Sequence, residues 1–241
     1  MTLAALAVAA APHAGPAGLA GVAQASAEMA LGAASGSSAV KIFILVTALS
    51  FASALILSLT SFTRIIIVLS FLRQALGTPQ LPPNPVLMGL SLFLTMFIMA
   101  PTATRIHRDA LGPFLDDKIS ATDALEKGQG PLREWMLKQT QEKDIRLFFE
   151  ISGAPRPARG EALPMTVVIP AFMVSELGTS FRMGLFVFVP MLLIDVLVAS
   201  VLMSLGMMMV PPQLVSLPLK IGVFLLAGGW NLVVSSIVRS F

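Results

Sequence analysis

The chain has 241 residues, 56% of them hydrophobic and only 12% charged, whereas a soluble globular domain is about 25% charged. With a mean hydropathy of +0.85, this composition is that of an integral membrane protein. The net charge of +3 is too small for nucleic-acid binding, and the absence of cysteine excludes disulfides, thiolate catalysis and cysteine-type metal sites.

Residues 1–27 read as a secretory signal peptide. Thr2 to Ala11 is a short apolar run, and Ala25-Ser26-Ala27 is an A-x-A-like cleavage site ahead of Glu28, although no Lys or Arg precedes the run. Residues 28–40 form a linker by composition, with GAASGSS from Gly32 to Ser38.

Residues 41–104 read as a first helical hairpin. Ile42 to Thr63 is uncharged and long enough to span, which takes about 20 apolar residues. Nothing then breaks the pattern until Gly77-Thr78-Pro79. One helix over 41–76 is about 54 Å long at 1.5 Å per residue, more than a hydrocarbon layer of about 30 Å accepts. Such a helix must kink, tilt or stand partly outside the bilayer. After the turn QLPPNP, Val86 to Thr104 is a second uncharged segment.

Residues 105–163 change character. They hold ten of the sixteen Lys and Arg and ten of the thirteen Asp and Glu, which marks a small helical insert outside the membrane. Ser120 and Asp123 predict a capping box, with Gly128 closing that helix and Gly130-Pro131 opening the next. Thr140 caps a restart, Ile145, Phe148 and Phe149 form an apolar face, and Gly153 ends the helix.

Residues 164–241 form a second hairpin with a Met-rich turn. The pattern predicts a piece over 165–181 kinked at Pro170, a helix over 183–209, a turn at Pro211-Pro212 and Pro218, and a last segment over 219–238. The fold class is therefore all-α, with about four membrane-length helices in hairpins plus the insert. A cleaved signal places the new N-terminus outside, Arg64 and Arg73 inside as solvated helix charges, and the insert in the periplasm. A raw Lys/Arg count would place the insert in the cytoplasm, but at about 60 residues that rule weakens.

Three charges, Glu176, Arg182 and Asp195, stand in the apolar run 163–219, and intramembrane charges mark partners or pathways. Glu176 reaches either an interface or Arg182, or pairs with a neighbouring subunit. Asp195 is either a hydrogen-bond partner in packing or a proton-linked group. Met207, Met208 and Met209 are either lipid-facing packing or a deformable seal, because Met is unbranched and soft and a hydrophobic constriction gates by dewetting. His13 and His107 make no metal set, there is no Walker loop, and no nucleophile–base set suggests an enzyme, so no cofactor is expected.

Four stretches carry a resemblance: TSFTRIIIVLSFLRQALGTPQLPPNPVLMGLSLFLTMFIMAPT (60–102), PLREWMLKQTQEKDIRLF (131–148), IPAFMVSEL (169–177) and VASVLMSLGMMMVPP with SLPLK (198–220). In order and spacing the chain resembles the FliP/SctR family of type III export-gate subunits, over nearly everything after Ser58. Gly178 and Gly228 stand where that family usually has a lysine and an acidic residue. The resemblance implies a non-enzymatic, pore-forming subunit in the bacterial inner membrane at the flagellar basal body. It would be a homo-pentamer with FliQ and FliR, working alongside FlhA and FlhB to pass unfolded flagellar proteins. It also implies a gasket role for Met207 to Met209 and inter-subunit contacts through Glu176, Trp135 and Phe148. The signal-like segment favours the flagellar branch over the SctR-type injectisome subunit. The alternative is an ion- or proton-coupled secondary transporter with Glu176, Arg182 and Asp195 as relay, a class that tends to show internal repeats; no repeat links 41–104 to 163–241.

Overall fold

In α1 (Phe62–Ala75), Ile65, Val68, Leu69, Leu72 and Ala75 recur at helical spacing and are all buried. The computed structural model describes residues 40, 42–44, 46–47, 57–78, 80–153, 162–207 and 209–241. The chain divides into units at Leu55/Ile56, and the elements below belong to the second. The signal peptide, most of the linker and most of the first expected membrane segment lie outside the described residues.

α2 (Asn84–Ile106) starts with proline near its first position and is uncharged until Arg105. It runs on through a π-turn, His107–Leu111, into the short α3 (Gly112–Leu115). α4 (Ala121–Gln139) begins with the capping box, Ser120 accepting from the Asp123 N–H and Asp123 from the Ser120 N–H. Gly128 and Pro131 do not divide it. Gly128 instead faces Ala110 and Ile106, where an added methyl would already be in van der Waals contact. Its small size thus brings α4 close to the π-turn. α5 (Glu142–Ser152) starts from Gln141 rather than Thr140 and ends at Gly153, whose φ of +63° is the left-handed conformation that glycine adopts without strain.

α6 (Met165–Ser204) is one helix of 40 residues, not the two pieces expected. Pro170 and Pro190 lie inside it without ending it. A proline removes one backbone hydrogen bond, and apolar helices tolerate that where packing holds both sides. Here Val167, Val168, Ala171 and Phe172 are buried around Pro170, and Met191 is buried beside Pro190. The last expected segment is broken instead. α7 (Gln213–Leu226) and α8 (Gly229–Arg239) meet at 64°. Gly228 sits at φ +62°, and a Cβ on Gly229 would come within 2.2 Å of the Phe224 ring.

The larger core joins Ile65, Val68, Leu69 and Leu72 of α1 to Leu87, Met191, Phe224, Val233 and Ile237. A second core joins Met136 of α4 to Val168 and Phe172 of α6. The aromatic face of the insert therefore packs on α6 of its own chain. Among the described residues there is no strand. Two helical runs, Asn84–Leu115 and Met165–Ser204, are long and apolar enough to cross a membrane, or three spans if α7 and α8 count as one. The chain is an all-α membrane protein.

Candidate functional site

Four helices converge on one buried guanidinium. Arg64 of α1 is 2% exposed and Glu176 of α6 is 0% exposed. Arg64 Nε donates to Glu176 Oε2 at 2.9 Å, and Nη2 donates to Oε1 of the same carboxylate, the two-pronged fit that a planar guanidinium makes with a carboxylate. Nη1 donates to the Ser240 carbonyl at 2.8 Å and to Ser240 Oγ at 3.0 Å. Nη2 also reaches Gln139 Oε1 of α4 at 3.4 Å. The flat face of Arg64 lies 3.9 Å from the Phe241 ring centre, a cation–π contact. Gln139 Nε2 donates to the Phe241 carbonyl at 3.0 Å. Trp135 closes the layer, stacked on Phe241 at 6.2 Å and tilted against Phe172 at 5.2 Å.

One residue earlier on α6, Ser175 ties in the insert. Its hydroxyl donates to Asp144 Oδ2 and accepts from the Gln141 N–H at 3.0 Å. The α4–α5 junction is thereby fixed at the level of the ion pair. Phe148, further along α5, is half-buried. In the insert, Glu134 of α4 meets Arg105 Nη1, from the last turn of α2, at 2.8 Å. That hydrogen bond holds the Glu134 carboxyl below the usual carboxylate range. Its small contribution is present above that range and is lost as pH falls through the lowered value.

A second pair lies nineteen residues along α6. Lys220 Nζ of α7 donates to Asp195 Oδ2 at 2.5 Å, with the lysine buried and the aspartate half-buried. At 1.5 Å per residue the two pairs are about 28 Å apart along the helix. Arg182, between them, is exposed, and among the described residues it makes no ion pair.

Beyond Asp195, α6 ends in a Schellman arrangement. Gly206, at φ +76°, donates to the Met203 carbonyl, and the Met207 N–H donates to the Leu202 carbonyl, both at 3.0 Å. The chain then turns through Met209 to Pro211-Pro212. Met207 is 44% exposed and Met209 is 97% exposed; Met208 lies outside the described residues. The Met-rich turn is thus a projecting tip.

Sequence reasoning placed Arg64 in solvent, and the structure corrects this: its partner is 112 residues away. One signal was available. A lone cation and a lone anion, each in an apolar run, are each costly unless they meet. Lys220, Ser175 and Asp144 were not singled out either. Among the described residues no group of three His, Asp or Glu is placed to hold a metal.

A family model described as the FliP family matches residues 45–237. The chain is 53% identical over 202 residues to a flagellar biosynthetic protein FliP of Pectobacterium carotovorum, covering 84% of this chain and 78% of that one. It is 49% identical over 205 residues to the Bacillus subtilis protein of the same name, covering 85% and 93%. With that of Caulobacter vibrioides it shares 45% over 224 residues, covering 92% and 84%.

Proposed function

The chain belongs to the FliP family and is a membrane component of the flagellar export apparatus, and on that premise we propose that it is a pore-forming subunit of the export gate. In this reading it assembles as a homo-pentamer with FliQ and FliR in the bacterial inner membrane, next to FlhA and FlhB. The assembly passes unfolded flagellar proteins outward, the insert faces the periplasm, and the subunit itself catalyses no reaction. Trp135 and Phe148 belong to the assembly surface, and Glu176, buried against Arg64, acts on assembly from behind it rather than by touching a neighbouring copy. Trp135 and Phe148 are each only half-buried, so part of each ring is left for a neighbouring copy. The Arg64–Glu176 pair sets the packing of α1, α4 and α6 that presents them.

The observation that carries the reading is the Met-rich turn. A methionine almost fully exposed at the tip of a helical hairpin, Met209, has no packing role within its own chain. Five copies would bring such thioethers to one narrow zone, soft enough to deform round a passing chain and apolar enough to shut out ions by dewetting. A relay reading has less support, since Glu176 and Asp195 are each tied to a cation of the same chain.

Replacing Met207, Met208 and Met209 together with Ala tests the reading. The complex should assemble at normal levels while small-solute uptake into cells rises. Replacement by Leu should keep the seal and slow export, since Leu is branched and less adaptable. An alanine triple variant that assembles normally and stays tight would remove these residues from the gate.

A further inference from the structure

Arg182 is the exposed charge of α6, and the position it occupies calls for a partner. It lies opposite Gly184, whose backbone is pressed against Phe71 of α1. Gly178, Leu185 and Val189 stand four residues before it and three and seven after it, so they share its stripe, and all are exposed. We propose that this stripe docks an apolar helix of a different polypeptide, and that one Asp or Glu on that helix pairs with Arg182.

Three observations point to this occupant. First, a cation on an apolar helix is costly in hydrocarbon and an opposite charge is one of the partners that offsets it, and among the described residues Arg182 has no carboxylate or other acceptor. Second, a further copy of this chain is a poor source. The carboxylates on its long apolar helices are already bonded: Asp109 to Arg108, Glu176 to Arg64 and Asp195 to Lys220. The remaining described acids lie in the charged insert. Third, Gly178 has open space where a Cβ would be. A small residue one turn from the charge leaves a notch into which another helix backbone fits, the usual geometry of close helix pairs in membranes. A lipid phosphate would answer the charge but not the notch. Docking of this kind requires only that α6 stands in an apolar setting, whether or not the Met-rich turn lines a pore.

The test places the photo-crosslinking residue p-benzoylphenylalanine at Leu185 of the full chain, in its native cells, and identifies the adduct by mass spectrometry. One adduct with a different polypeptide is expected, mapping to an apolar helix with a single acidic residue. Its yield should fall about tenfold in Arg182→Gln and Arg182→Glu backgrounds, because truncating one side of a desolvated pair leaves the other charge unmatched. Arg182→Lys should retain most of the adduct. Changing the partner's acid to Lys should restore the adduct in the Arg182→Glu background. An adduct with a second copy, an adduct with lipid alone, no adduct, or a yield indifferent to Arg182→Gln would each overturn the proposal.

Discussion

Glu176→Ala would leave the Arg64 guanidinium buried with no anion, and that loss sets the energetic scale of the node. Breaking a buried pair from one side costs about 3–5 kcal/mol, whereas replacing both partners by apolar groups of similar volume is often neutral. We therefore expect Glu176→Ala to lower the unfolding midpoint in detergent strongly. The double variant Arg64→Met with Glu176→Leu should recover much of the loss, although Ser240 and Gln139 then lose a donor. A Glu176→Ala chain as stable as the parent would mean that the pair is incidental. Assembly should fall with stability, because Trp135 is layered on Phe241, which itself lies under Arg64. This node shows where reading a sequence stops. The cost of a lone charge is visible locally, but the identity of its partner is a property of chain path, and Arg64 and Glu176 are joined only once α1 packs on α6.

At the scale of elements, local chemistry was legible where a residue acts on its own backbone and illegible where packing overrides it. Ser120 with Asp123, and Gly153, act within a turn of themselves, and both behave as their residue types dictate. Pro131 was read as the start of a helix and Pro170 as a kink in a separate piece. Each lies inside a helix, because flanking side chains buried against another element hold the axis through the missing hydrogen bond. Gly184 illustrates the same control by packing. A Cβ there would come within 2.6 Å of Phe71 Cγ, and the Phe71 ring is itself held edge-on to Phe181 at 5.2 Å. Overpacking of this kind costs about 1–3 kcal/mol. Gly184→Ala should loosen α1 from α6, lower the unfolding midpoint, and be rescued in part by Phe71→Leu. Additive losses in the double variant would show that the close approach is not what makes this glycine necessary.

At the scale of the molecule, the length of α6 is the governing fact. Forty residues make about 60 Å of helix, twice a hydrocarbon layer of about 30 Å. Tilt does not absorb the excess. At a tilt of about 40°, the upper end of the usual range, the layer accepts about 39 Å of helix, or roughly 26 residues. About 14 residues of a helix whose outer face carries Phe181, Leu185, Phe186, Leu193 and Leu197 must then stand beyond the lipid, and exposed apolar surface of that extent is a contact surface. We expect other chains to cover it. Because the chain has no cysteine, single cysteines can be placed along the outer face of α6 without background and spin-labelled. In membranes containing the assembled complex, oxygen-collision rates should mark a lipid-facing run no longer than about 26 residues. A contiguous remainder should be shielded from both oxygen in lipid and a water-soluble relaxant, as protein contact requires. The same labels on the chain expressed alone should show the remainder open to one or the other. If all forty positions report lipid in the assembled state, the helix lies within the bilayer plane, and no cover of protein is needed.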